Sequence, residues 1–279
     1  MGETVDLSSS PRNGEGRRRA WRPGIAIWLS AGFHISAMLA LLARPHWWPS
    51  ILTALVLNHV VLGLIGVWPR SRLLGANMLR LPDAAVRRNE IALTFDDGPD
   101  ADVTPRVLDI LDVHQAKASF FVIGDKAAAQ PELIREIARR GHSIENHSRK
   151  HSSFFGFFAW TALRKDVDTA QEIIFGITGQ APAFFRSPMG IRNPMLDPVI
   201  ARLGLRYITW TRRGFDTVTG DPAVVLARLT RKMSAGDILL LHDRRTHGQR
   251  AIVLEVLPAL LDRIAAAGLK PESLPLAMQ

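Results

Sequence analysis

The chain has 279 residues and no cysteine, which excludes disulfides and thiolate metal sites and leaves His, Asp and Glu as ligands for any metal. The length suits one sizeable domain with an appendage. The net charge of +9 is unevenly spread: the first 82 residues hold 9 Arg against 3 acids, the remainder 26 Lys+Arg against 23 Asp+Glu. The basic excess therefore sits with an apolar N-terminal part, where it argues for membrane topology and against nucleic acid as a partner.

Residues 1–23 are rich in Ser, Gly and Arg and are expected to be a disordered basic tail. Gly24 to Ala43 and Ile51 to Trp68 each lack Asp, Glu, Lys and Arg and are long enough to cross a bilayer as helices. The connection, Arg44 to Ser50, carries Pro45 and Pro49 to stop the helix and a Trp47-Trp48 pair suited to a membrane interface. Residues 24–68 thus read as a two-helix transmembrane hairpin, with a linker over 69–84. Arg12, Arg17, Arg18, Arg19 and Arg22 precede it, and Arg70, Arg72, Arg80, Arg87 and Arg88 follow it; only Arg44 lies in the turn. The positive-inside rule places both ends, and the domain that follows, in the cytoplasm. A cleaved signal peptide is the rival for the first span, but the apolar run is too long and no A-x-A-like site follows. His34, Asn58 and His59 lie inside the spans, where helix–helix hydrogen bonds are their simplest use.

From residue 85 to 279 strand-like and helical patterns alternate. Strands are expected at Ile91–Phe95, Ala118–Ile123, Ser143–Asn146, Ala183–Arg186, Arg206–Trp210 and Ile238–Leu241. Helices are expected at Pro105–His114, Pro131–Arg140, Thr161–Ile177, Pro194–Leu203, Val224–Met233 and Ala251–Ala267, several of them ending at a glycine. The alternation means βα units on a parallel sheet, so the fold class is α/β. About 195 residues is short for an eight-unit barrel, and a barrel with a missing or irregular strand fits better.

In such folds the chemistry collects where strands end. Ile91 to Phe95 runs straight into Asp96-Asp97-Gly98-Pro99, two carboxylates that a buried strand end would not hold without a metal or a proton to transfer. An acidic turn is the alternative. His147 and His151 stand four apart and could decorate one helical turn. Together with a strand-end carboxylate they make a three-ligand set with open positions. Polar strand ends recur at Arg186-Ser187-Pro188, Asp216 and His242-Asp243. His114 and His142 read as caps or surface groups and His247 as a solvated loop. Phe154, Phe155, Phe157, Phe158 and Trp160 read as core under the rim or as an apolar ledge facing lipid. Arg212-Arg213 reads as surface charge that could meet a phosphate.

Residues 85–275 resemble the polysaccharide deacetylases, carbohydrate esterase family 4, with its NodB homology domain. Thr94-Phe95-Asp96-Asp97-Gly98-Pro99 looks like the first motif, His147-Ser148-x-x-His151 the second and Arg186-Ser187-Pro188-Met189-Gly190 the third. Asp216 falls at the fourth, and Leu239 to Asp243 looks like the fifth. The resemblance implies a distorted (β/α) barrel and metal-dependent hydrolysis of N-acyl groups on amino sugars. It implies that Asp97, His147 and His151 hold Zn²⁺, or another divalent ion such as Co²⁺ or Ni²⁺. Asp96 would be the general base, oriented by Arg186. The N–H of Met189 would face the oxyanion, His242 tuned by Asp216 would be the general acid, and Leu240 would line the acyl pocket. The family usually places Trp after the motif-four Asp; here it is Thr217, which puts the usual extracellular glycans in doubt.

The reading that follows is a membrane-anchored deacetylase or deformylase at the cytoplasmic face, acting on a lipid-linked amino sugar. The alternatives are an outward-facing deacetylase of chitooligosaccharide or peptidoglycan type and an inactive scaffold.

Overall fold

A computed structural model describes residues 19–246 and 250–279 of the chain; the tail expectation for residues 1–18 and that for His247 lie outside them. Two apolar helices come first, α1 (Ile25–Ala43) and α2 (Trp48–Val67), both long and apolar enough to cross a membrane. Their outward residues are large hydrophobics such as Leu29, Leu42, Trp48 and Leu64, a surface that water would not tolerate. Pro49 sits in the first turn of α2, where its missing N–H costs nothing, so it starts the second helix and does not stop the first. Between the helices Asn58 Nδ2 donates to Ser30 Oγ at 2.8 Å, and the His34 and His59 rings meet edge to face at 5.3 Å. These polar groups thus join the two helices.

After a short helix α3 (Asp83–Arg87), the domain is an all-parallel sheet wrapped by helices. Its strands are β1 (Glu90–Asp96), β2 (Ser119–Val122), β3 (Ser143–Asn146), β4 (Phe184–Phe185), β5 (Arg206–Tyr207), β6 (Arg212–Arg213), β7 (Ile238–His242) and β8 (Lys270–Glu272). The spatial order is β5-β4-β3-β2-β1-β7-β6, with β8 paired to the start of β1. This is the distorted, incompletely closed barrel of the expected α/β class. Among the described residues β5 and β6 do not pair with each other. Residues 78–81 run along that seam instead: Met78 bridges to Ile208, Leu79 O accepts from Thr211 Oγ1, and Leu81 N donates to Gly236 O.

The helices are α4 (Thr104–Val113), α5 (Gly124–Ala129), α6 (Pro131–Arg139), α7 (Trp160–Thr178), α8 (Leu196–Arg202), α9 (Pro222–Thr230), α10 (Ile252–Ala266) and α11 (Leu274–Ala277). Their starts and stops follow local chemistry. Pro131 opens α6, Gly179 at φ 70° ends α7, and the Asp221 carboxylate caps the N–H groups of Ala223 and Val224 on α9. The main core joins β1, β2 and β7 to α4, α6, α9 and α10 through residues such as Leu93, Phe95, Phe120, Leu241 and Leu260, all essentially inaccessible. β1 is buried on both faces, which is why its sequence is a continuous apolar run.

Candidate active site

Strand register assembles the site. Asp96, the last residue of β1, lies directly opposite His242, the last residue of β7. Asn146 at the end of β3 pairs with Phe185 of β4, so the next residues on each strand, His147 and Arg186, leave the sheet side by side. All of these are strand C-terminal ends, so one rim collects them.

Asp96 is buried, and its Oδ1 accepts from Arg186 Nη1 at 2.6 Å. Arg186 is wholly buried, with its other terminal nitrogen on Thr209 O at 2.9 Å and its guanidinium 4.1 Å above the Phe121 ring. Two buried opposite charges at this distance compensate each other; removing either would strand the other in the core.

Asp97 has other partners. Its φ of 74° bends the backbone immediately after the strand, and while both carboxylates come within 4 Å of His147 Nε2, only Asp97 also meets His151. Its Oδ1 lies 3.3 Å from His147 Nε2 and 3.1 Å from His151 Nε2, and these donor atoms all lie within 4.8 Å of one another. His147 Nδ1 donates to the Arg186 carbonyl at 2.8 Å, which turns Nε2 toward Asp97 and makes it the nitrogen placed to ligate a metal. One carboxylate and two imidazoles so oriented fit a divalent, borderline-soft cation. Burial alone would raise the Asp97 carboxyl, but the hydrogen bonds of His147 and His151, with the charges of His147 and His242, outweigh it and hold it well below the usual carboxylate range. The turn has no room for a side chain after Asp97: a Cβ on Gly98 would stand 2.2 Å from the Asp243 carboxylate. That carboxylate accepts from Thr104 Oγ1 at 2.6 Å, and its burial pushes it up to about 7.

On the far side Asp216 accepts twice from His242, from Nδ1 at 2.9 Å and from the backbone N–H at 2.8 Å. Burial works against the imidazolium. The Asp216 charge and hydrogen bond, with smaller help from Asp97 and Asp96, overcome it and raise His242 above the ordinary histidine range. Met189 has φ 56°, and no backbone or side-chain oxygen of the described residues accepts its N–H. Leu240 is buried on β7.

A cavity of about 120 Å³ is lined by Asp96, Asp97, His147, His151, Met189 and Leu240 together with His242. Gly190, Trp210, Arg213, Thr217 and Arg244 complete the wall. Asp216 stands behind His242 and Arg186 behind Asp96, so all nine residues singled out from the sequence gather within one neighbourhood. Sequence reasoning gave no role to Arg244, whose Nε lies 2.8 Å from Asp97 Oδ2, nor to Trp210. The signal for Arg244 was its place directly after His242-Asp243.

Two expectations need correction. His142 is neither cap nor surface group: it is buried against Phe120, accepts from Ala118 N–H, and burial lowers it to about 4. The aromatic run splits: Phe155 and Phe158 join the core, whereas Phe154 and Phe157 are 69% and 87% exposed.

A polysaccharide deacetylase family model matches residues 83–208. The chain is 34% identical over 178 residues to a chitooligosaccharide deacetylase of Bradyrhizobium sp. (strain ANU 289), covering 61% of this chain and 81% of that protein. The chain belongs to the polysaccharide deacetylase family. A peptidoglycan-N-acetylglucosamine deacetylase of Bacillus cereus is 34% identical over 139 residues, 47% of this chain and 50% of that one. A family 4 carbohydrate esterase from Streptomyces lividans, solved in complex with acetate, superposes with a TM-score of 0.61 at 27% identity, covering 66% of this chain and 91% of that one.

Proposed function

We propose that this polysaccharide deacetylase removes an N-acyl group, acetyl or formyl, from an amino sugar, with Asp97, His147 and His151 holding the metal. It is then a hydrolase of carbon–nitrogen bonds other than peptide bonds. The observation that carries the reading is the convergence on one cavity of three metal donors, a carboxylate clamped by Arg186 and a histidine clamped by Asp216.

Asp97, His147 and His151 would hold a divalent cation such as Zn²⁺, Co²⁺ or Ni²⁺, which would supply Lewis acidity toward the acyl carbonyl and water. Asp96 takes the proton as water adds to the carbonyl carbon, and Arg186 holds that carboxylate aimed. The Met189 N–H, free of other acceptors, donates to the developing oxyanion. His242 gives its proton to the sugar nitrogen as the C–N bond breaks, leaving a free amine and a carboxylic acid. Leu240 lines the space for the acyl methyl or hydrogen.

We further propose that the substrate is lipid-linked and met at the cytoplasmic face of the membrane. The positive-inside balance of the arginines supports the sidedness. Proximity supports the lipid: a Cβ on Gly190, in the pocket wall, would stand 2.7 Å from Pro69, just past α2, and Arg192 N donates to Gly66 O inside α2 at 3.1 Å. The third-motif loop and the end of the hairpin are thus in direct contact. Exposed Phe154 and Phe157 belong to the loop that packs on Ile191 and Asn193 beside it.

The test is mass spectrometry of membrane glycolipids from cells expressing the wild type or Asp96→Asn. The reading expects a species one acyl group heavier to accumulate with the variant; identical profiles, with no acyl release by purified wild type, would refute it. A reporter fused to the C-terminus reads the sidedness, and activity of an outside-only reporter would reverse it.

A further inference from the structure

Two neighbouring arginines on β6 have opposite surroundings. Arg212 is fully engaged: its Nε pairs with Asp237 at 2.6 Å, and its terminal nitrogens donate to the carbonyls of Arg231 and Lys232. Arg213, one residue on, faces the catalytic cavity. Its guanidinium lies over two rings, 5.2 Å from the centroid of Trp210 and 4.8 Å from that of Phe215. Its Nε is buried without an acceptor, and no described carboxylate lies in ion-pair range. Arg186 and Arg192 also leave Nε unpaired, but each spends its terminal nitrogens on two or more protein oxygens. Arg213 spends none on the described residues.

The acids of the cavity do not answer this charge. Asp96 is taken by Arg186, and Asp97 by the two imidazoles and by Arg244. The residue after Asp216 is the small Thr217, which lines the same cavity as Arg213. A guanidinium fixed by aromatic stacking keeps its donor edge preorganised, which suits a phosphate better than a neutral hydroxyl.

We propose that Arg213 forms an anion subsite of the catalytic cavity, and that the amino sugar processed there carries a phosphate on the carbon adjacent to the one bearing the acylated nitrogen. The inference rests on the N-acyl hydrolase reading and names its substrate class. The small cavity brings Arg213 close to Leu240 and His242, so the anion must lie near the scissile amide. Arg212 serves the fold and Arg213 the substrate.

The test measures binding as well as turnover, with the metal-loaded full-length protein in detergent. Calorimetry compares N-acetylglucosamine 1-phosphate with methyl N-acetylglucosaminide. Wild type is expected to bind the phosphate about tenfold or more tightly, the preference of one charge-assisted pair. Arg213→Met should abolish that ratio and Arg213→Lys restore part of it, with the melting temperature showing that each variant is folded. Since wild type and variant hold the same metal, its own attraction for phosphate cancels when their two ratios are compared. Equal wild-type affinity for both probes, or a ratio unchanged in Arg213→Met, would overturn the proposal. Absence of acyl release from every probe would instead refute the hydrolase reading while leaving the binding result standing. A dodecyl phosphodiester of the same sugar separates the sources: tighter binding than the monoester marks a lipid link, weaker binding a soluble sugar phosphate.

Discussion

Arg186 donates to Asp96 across 2.6 Å on one side of the cavity; on the other, Asp216 accepts from His242 across 2.9 Å. Both pairs are buried and both join a group facing the cavity to a partner behind it, yet they act in opposite senses. The cation behind Asp96 compensates and orients a carboxylate. The carboxylate behind His242 favours an imidazolium ready to give a proton. A single rim can therefore hold a base and an acid at one pH, because each has its own counter-ion and the strand register sets them face to face.

The sharpest way to break this comparison is to neutralise the base. Asp96→Asn should lower acyl release by about 10²–10⁴-fold while the protein still binds its metal, since the ligand set is untouched. Removing the cation instead should tell on stability. Arg186→Met leaves Asp96 buried without its counter-charge and is expected to cost about 3–5 kcal/mol in denaturant unfolding. Asp216→Asn tests the other pair. His242 is raised in the fold, so it stays protonated to higher pH and loses activity only as pH climbs through that raised value. Taking away the Asp216 charge should move the alkaline limb of the kcat profile about one pH unit or more to lower pH; a limb that stays in place would show that His242 is not the acid. The smallest effect concerns the boundary with the hairpin. Gly190→Ala puts a Cβ at φ 74° within 2.8 Å of Trp210 and 2.7 Å of Pro69, and should destabilise by about 1–3 kcal/mol in thermal unfolding.

The parts of the molecule readable from sequence are those whose signal is contiguous. β1 with its Asp96-Asp97-Gly98-Pro99 end, and His147 with His151, lie within short stretches whose residue types are explained by one strand end or one loop. The two apolar helices announce themselves by composition. What escaped depends on tertiary placement. β6 spans only Arg212 and Arg213 and β8 three residues, too short for any periodicity to register. α5 is six residues with three alanines, without an amphipathic stripe. The different surroundings of Arg212 and Arg213 follow from strand alternation, which sends one side chain to Asp237 and the next to the cavity. His142 looked peripheral because it follows a helix stop at Gly141, but the packing of Phe120 covers it.

The account depends above all on a cation gripped by Asp97, His147 and His151. The measurement that tests it is the divalent-metal content of the purified full-length protein beside that of His147→Ala, taken after dialysis against buffer with trace Zn²⁺. The account predicts close to one ion per chain in the wild type and loss of most of it in the variant. A wild type that retains no divalent ion, or a variant that retains as much, would contradict it.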